Sequence, residues 1–481
     1  MNATSITWSS LAPAIGEIWL AFAICALLLV EAFGGDRRRG FMSTLTLAAI
    51  AIGAALQVAY GSVGGRVTLF NGMFVADELA YVLKLVGYVV VAVALLYSRT
   101  YLEQRRILRG EYYVLALTAL LGIFVLISAN SLLTVYIGVE LLALSVYAMV
   151  AFDRDNDVAA EAAMKYFVLG AIASGALIYG MSFLYGLTGT LDLDQLASQL
   201  QGPLDIGIIL GLVFIVVAVA FKLGAVPFHM WLPDVYHGAP TAVTLFLGTA
   251  PKLAYFALVL RLLTYGMQGA TEEWTQMLAV LAVLSLVVGN VVALAQTNLK
   301  RLLAYSTIAN VGFIVLGFVA GTPGGYSAAL YYTLAYVLMA LGSFGVILLA
   351  STRDFEADEL DHYRGLHARD PLLALVMMVL MFSTAGVPPF VGFWAKLRII
   401  QELWATNHPW LVVIAAGVSV IGVFYYLRVV KLMYFDPPVD LPVGERGTAV
   451  RLALGLNAAA VLLLGVLPGP LLDLCARLLG S

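Results

Sequence analysis

Apolar residues fall into fourteen runs along the chain, each bounded by Gly, Pro or charge. They cover roughly 11–34, 41–60, 74–97, 112–129, 131–152, 162–188, 205–231, 241–265, 274–296, 300–320, 327–350, 371–400, 409–434 and 449–468. About 20 consecutive apolar residues, wound as a helix, cross a bilayer. The pattern therefore predicts an all-α polytopic membrane protein with about 14 transmembrane helices, numbered here as spans 1 to 14. The predicted organisation is an N-terminal three-helix segment (1–110), a five-helix unit (111–268), a second five-helix unit (269–436) and a C-terminal helix (437–481).

Polar connections between the runs carry the orientation. With fourteen spans, one side receives Arg37, Arg38, Arg39, Arg99, Arg105, Arg106, Arg109, Arg154, Lys300, Arg301, Arg353, Arg364, Arg369, Arg428, Lys431, Arg446 and Arg451. The other receives only Arg66, Arg261, Arg398 and Arg477. Basic connections stay in the cytoplasm, so both termini are expected outside it.

Spans 7 and 12 look alike. One holds Gly224-Ala-Val-Pro227-Phe228 and the other Gly386-Val-Pro-Pro389-Phe390, an offset of 162 residues. Upstream, Met164-Lys-Tyr166 resembles Leu330-Tyr-Tyr332 at an offset of 166, which sets Glu140 near Tyr305. Spans 4–8 and 9–13 then form two repeats. An odd number of spans per repeat inverts the second, the plan of ion-coupled transporters with broken helices near the midplane. Proline removes a backbone donor and clashes with the preceding turn, so breaks are expected at Pro227 and at Pro388-Pro389.

Composition explains why a few charges matter. Hydrophobic residues make up 62% of the 481 and charged residues 11%, against about 25% charged in soluble domains. That excludes a water-soluble enzyme, and a net charge of −3 offers no basic face for nucleic acid. Cys25 and Cys475 lie at opposite ends without ligand spacing, and the five histidines are scattered. Metal sites, Fe–S clusters and disulfide frameworks are therefore unsupported. The first ten residues are polar and carry no positive charge, so no cleavable signal peptide is expected.

Once the connections have taken their basic residues, Lys84, Lys165, Lys222, Lys252 and Lys396 remain within the spans. Glu140, nine residues into span 5, is the one carboxylate near a span centre. An ionised group there is costly and needs a partner or a function. Glu140 with Lys222 reads as a structural ion pair or as a proton-carrying pair. Lys222 lies five residues before Pro227, and Lys252 lies deep in span 8 after Pro251. Lys396, seven residues after Pro389, is either a relay group or a snorkelling side chain near a span end. Lys165 reads equally as an anchor or a relay group, and His229 as a relay group or a capped interfacial residue. Lys300 passes for a boundary charge. Lys84, seven residues after Asp77 on the same helical face, reads as structural. Glu17 and Glu31, near the ends of span 1, need no special role.

The run Lys222-Leu-Gly-Ala-Val-Pro-Phe-His-Met-Trp-Leu-Pro-Asp-Val-Tyr-His-Gly-Ala-Pro-Thr241 resembles the signature of the antiporter-like membrane subunits of respiratory complex I. Gly248-Thr-Ala-Pro-Lys252, Gln296-Thr-Asn-Leu-Lys-Arg-Leu-Leu-Ala-Tyr-Ser306 and Gly386-Val-Pro-Pro-Phe-Val-Gly-Phe-Trp-Ala-Lys396 resemble the N-type branch of that family. Lys396 stands where the M type has a glutamate, and the long lateral helix of the L type is not expected here. The resemblance implies a proton path of Glu140, Lys222, Lys252 and Lys396, with Lys165, His229 and Lys300 as accessory positions. It implies no cofactor in this chain, since NADH, FMN, Fe–S clusters and quinone chemistry reside in partner subunits. It further implies membrane-arm partners of types A, H, J, K, L and M, with K and M adjacent, in a bacterial inner membrane. A subunit of a cation/proton antiporter or of a membrane-bound hydrogenase shares the scaffold and is the alternative. A stand-alone solute transporter and an inert membrane scaffold rank below both.

Overall fold

In the computed structural model the described residues are 11–34, 39–353, 355–440 and 447–480. Residues 1–10 and the basic residues Arg37, Arg38 and Arg446 lie outside them. Among the described residues, thirteen helices are long and apolar enough to cross a membrane: Ala12–Phe33, Gly40–Tyr60, Glu78–Gln104, Gly110–Ile127, Leu132–Val150, Asp157–Thr188, Ile206–Leu223, Thr241–Gly266, Gln268–Leu294, Leu299–Val319, Pro323–Ala350, Pro409–Phe435 and Thr448–Val466. A fourteenth crossing is divided between Pro371–Ala385 and Val391–Ala405, as the prolines predict. These are spans 1 to 14, the divided one being span 12. The all-α expectation misses one element, an antiparallel ribbon of β1 (Val67–Leu69) and β2 (Phe74–Ala76) between spans 2 and 3.

Local chemistry sets the helix starts. Asn156 and Asn298 accept hydrogen bonds from the first-turn N–H groups of spans 6 and 10, the capping role of a short polar side chain. Pro371 and Pro409 occupy first-turn positions, where a missing N–H costs nothing. Spans 8, 10 and 11 lie at the centre, and every residue from Thr241 to Leu258 is buried.

Two pairs of matching connections relate spans 4–8 to spans 9–13. At the start of span 5, Leu132 N–H donates to the Leu191 carbonyl and Leu193 N–H to the Asn130 carbonyl. At the start of span 10, Leu299 N–H donates to Asp358 and Leu360 N–H to Thr297. All four positions shift by 167 residues. Counting crossings puts the two connections on opposite faces of the bundle. This offset sets Thr307 against Glu140, where the sequence comparison set Tyr305. Pairing by backbone contact does not depend on weak side-chain similarity, hence the two-residue difference.

Candidate functional site: a buried carboxylate–lysine chain at two broken helices

Both breaks are built alike. In span 7, Gly224 N–H donates to Ala220 and Phe221, and Ala225 N–H to Ala220. In span 12, Gly386 N–H donates to Phe382 and Ser383, and Val387 N–H to Phe382. Every partner shifts by 162 residues. Gly224 and Gly386 have φ of 81° and 89°, the left-handed conformation that closes a helix and favours glycine. The Val226–Pro227 and Pro388–Pro389 peptide bonds are cis.

Opened backbone inside a membrane must find partners in the protein, and here several partners are chemical groups of the site. Lys252 Nζ donates to the Leu223 carbonyl at 3.4 Å, and the Trp231 indole to Phe221 at 3.0 Å. The Val226 N–H is taken by Ser285 Oγ at 2.9 Å. Lys300 Nζ donates at 2.8 Å to the Ala239 carbonyl, which ends the second half-helix of span 7, Trp231–Gly238. In span 12, Lys396 Nζ donates to Ala385 at 2.9 Å. Each of these lysines stands at a helix C-terminus, where the backbone dipole favours positive charge.

Glu140, in span 5, meets Lys222, in span 7, through Ser174 of span 6. Lys222 Nζ donates to Ser174 Oγ at 3.3 Å, and Ser174 Oγ donates to Glu140 Oε1. Lys222 is buried and Glu140 partly so. Among the described residues no ion pair joins the two directly. Lys222 is adjacent in sequence to Leu223, whose carbonyl holds Lys252, so both lysines are anchored at the same end of the first half-helix of span 7.

Around Lys396 the polar groups are neutral. Its Nζ stands 5.5 Å from the centre of the Phe313 ring, and that ring stacks on Tyr332 at 5.6 Å. Tyr332 donates to Asn310 Oδ1 at 2.7 Å, and Asn310 donates to the Ser306 carbonyl at 2.7 Å. Ser306 and Tyr426 share a 2.6 Å hydrogen bond. Thr307, opposite Glu140 in the repeat, pairs with Tyr336 at 2.7 Å. The second unit thus has hydroxyl and amide groups where the first has charges.

A family model described as "NADH:quinone oxidoreductase/Mrp antiporter, TM" matches residues 129–422. The NADH-quinone oxidoreductase subunit N of Thiobacillus denitrificans is 52% identical over 472 residues, which are 98% of each chain. The protein of the same name from Nitrosomonas europaea is 50% identical, covering 96% of each. The chain belongs to the NADH:quinone oxidoreductase/Mrp antiporter family. Among solved structures, a chain of respiratory complex I from Thermus thermophilus superimposes with a TM-score of 0.82 at 32% identity, covering 95% of this chain and 98% of that one. A chain of an archaeal membrane-bound sulfane sulfur reductase gives 0.86 at 28%, covering 98% and 97%. A chain of the Mrp complex of a Dietzia species shares the fold at 0.87 and 21%, covering 99% and 97%.

Within this family member, the remaining candidates occupy different surroundings. Lys165 is 44% exposed and pairs with Glu161 at 2.8 Å and Asp234 at 2.9 Å, and Asp234 also holds Arg301 at 3.0 Å. Lys165 lies nine residues before Ser174, about 13.5 Å along the helix and half a turn round it, so it does not join the Glu140–Lys222 chain. His229 lies in the span 7 break, partly exposed and close to the Pro227 carbonyl. Lys300, the second residue of span 10, is buried at that boundary and lines a polar cavity of about 230 Å³ with Tyr101, Arg105, His237, Glu356 and Asp358. Lys396 does not snorkel. The break consumes residues 386–390, so span 12 runs on to Ala405 and Lys396 lies within its second half.

Two groups escaped the sequence reading. Ser174 is a small polar residue among many small residues, and only contact reveals its partners. Glu17, read as needing no role, forms a 2.7 Å ion pair with Lys84, which is 1% exposed. Lys84, read as structural, has Glu17 as its bonded carboxylate. Asp77 instead holds Arg261 through two hydrogen bonds of 2.6 and 2.8 Å.

Proposed function

We infer that this chain is the proton-translocating N-type membrane subunit of a bacterial NADH-quinone oxidoreductase, working within the assembled complex I. Full-length relatedness to proteins of that name supports the assignment. The observation that carries the mechanism is the hydrogen-bonded chain from the partly buried Glu140 through Ser174 to the buried Lys222, ending at the break that Lys252 caps. Glu140, Lys222, Lys252 and Lys396 form the path. Lys300 loads it from the polar cavity on the basic face, and His229 and Lys165 are accessory.

Spans 4–8 (about 111–268) and 9–13 (about 269–436) act as two inverted units, each supplying a half-channel. The N-terminal segment 1–110 and the C-terminal helix 437–481 brace them. When the Glu140–Lys222 bridge is closed, the carboxylate favours the ammonium. When it opens, Lys222 loses that support and its proton passes to Lys252 and then Lys396. One tenfold change in this balance is about 1.4 kcal/mol, within reach of a modest rearrangement. Among the described residues no hydrogen bond links Lys252 to Lys396, so that step runs on water held by buried polar groups.

Hydride and electron transfer from NADH to quinone, with the FMN and Fe–S clusters, takes place in partner subunits, and the membrane-arm partners are of the A, H, J, K, L and M types, K and M being the neighbours. The complex lies in the inner membrane with the basic face cytoplasmic and both termini periplasmic. The test is proton pumping by reconstituted complexes carrying Lys222→Ala or Glu140→Ala, with assembly verified. Both substitutions should abolish pumping through this subunit; normal pumping by either variant removes that residue from the path.

A further inference from the structure

Hydroxyl groups within the spans follow a common habit. Ser98, Thr118, Ser145, Thr249, Ser285 and Thr333 each donate to the carbonyl four residues back in their own helix. This is the usual outlet for a helical hydroxyl with no other acceptor. Ser174 departs from it. Its hydroxyl donates away from its own helix to Glu140 Oε1, while accepting from Lys222 Nζ at 3.3 Å.

Ser174 is 6% exposed, so bulk water does not compete for either bond. An ammonium offers only donors and a carboxylate only acceptors, whereas a hydroxyl offers both. The Glu140 and Lys222 charges therefore dictate which way the hydroxyl points. The unused alternative, the Gly170 carbonyl, is one helical turn behind.

We propose that Ser174 is the relay residue and switch of the Glu140–Lys222 pair. In the bridged position it passes a proton: an N–H bond of Lys222 breaks as an O–H bond forms on Ser174. The original O–H bond of Ser174 breaks as that proton lands on Glu140 Oε1. The products are a neutral amine, an unchanged serine and a neutral carboxylic acid; the reverse step, from the acid through serine to the amine, restores the ion pair and is the one that recharges Lys222 after its proton has gone to Lys252. The new hydroxyl hydrogen then faces Lys222, so the group must turn before it passes another proton. Turning to the Gly170 carbonyl parks it and isolates Lys222 from Glu140.

This rests on the proton path proposed above, and the experiment separates the two. Complexes carrying Ser174→Ala, Ser174→Thr or Lys222→Ala are purified, checked for assembly, reconstituted, and assayed for protons pumped per NADH oxidised. Ser174→Ala should lower coupled pumping about tenfold, equivalent to about 1.4 kcal/mol. Ser174→Thr, which keeps the hydroxyl, should recover it to within about twofold. Normal pumping by Ser174→Ala beside a Lys222→Ala complex that does not pump overturns the relay and leaves the path standing. Equal loss in Ser174→Ala and Ser174→Thr also overturns it, because side-chain packing rather than the hydroxyl is then at work. Normal pumping by Lys222→Ala removes the path and the relay together.

Discussion

Lys252 and Lys396 each give an N–H to the last carbonyl of an interrupted helix. The same ammonium that completes the backbone is the one assigned to carry a proton, and substitution separates these tasks. Arginine keeps a donor and a positive charge but does not release its proton in a protein. Lys396 is only partly buried, which leaves room for the larger side chain. Lys396→Arg should therefore assemble with near-normal thermal stability and fail to pump. Lys396→Ala should lose pumping and also about 1–3 kcal/mol of stability, the cost of stranding a buried carbonyl. Thermal unfolding of the purified complex and proton pumping distinguish the two variants. Elsewhere, Asp77 and Arg261 join the start of span 3 to the end of span 8. Burial opposes the charge on Asp77, but the Arg261 guanidinium, helped by the Ala80 N–H and Lys84, outweighs it and holds the carboxyl below its usual range. Arg261 is 2% exposed, so Asp77→Ala, which strands its charge, should cost about 3–5 kcal/mol. A lowered carboxyl contributes fully above its unfolded value, near pH 3.9, and loses that contribution as pH falls through the folded value. The stability gap between the parent and Asp77→Ala should stay constant from about pH 8 to pH 5 and close only in stronger acid.

At the scale of elements, each break depends on one residue with positive φ. A Cβ on Gly224 would run into Leu232 Cδ1, and one on Gly386 would lie 2.9 Å from Lys396 Cδ. Left-handed backbone costs a residue with a side chain about 1–2 kcal/mol before any clash. Gly386→Ala should thus lower the thermal midpoint and, by displacing Lys396, reduce pumping. Gly224→Ala should destabilise at least as much, because Leu232 is packed in the core and has little room to yield. The breaks themselves were legible from sequence because Pro227 and Pro388-Pro389 interrupt apolar runs. The groups that cap them were not. Lys252 reaches a carbonyl 29 residues away and Ser174 a carboxylate 34 away, and no helical period encodes such distances. Lys396 seemed terminal only when span 12 was counted as one continuous helix, which ignores the residues consumed by its break. Lys84 drew attention to Asp77 on its own helical face, while its ion-pair partner Glu17 sits on span 1.

Across the whole molecule, the contacts between connections test the count of fourteen. Arg66 meets Asp194, Arg261 meets Asp77, and Arg477 meets Glu78. On the other face, Arg105 meets Glu356, Arg301 meets Asp234, and Arg451 meets Asp370. In every case the partners share a face if span 12 is one crossing. A missed span would ask such pairs to meet across about 30 Å of hydrocarbon. The count therefore holds, and only the assignment of faces to compartments remains for experiment. Arg154, between spans 5 and 6, and Gln201, between spans 6 and 7, are exposed on opposite faces. In a chain with Cys25 and Cys475 replaced, Arg154→Cys should react with a membrane-impermeant maleimide only in inverted vesicles. Gln201→Cys should react only in right-side-out vesicles. The reverse pattern would put the seventeen basic residues outside the cytoplasm, against the charge rule, and would turn the polar cavity beside Lys300 from the proposed proton entrance into an exit.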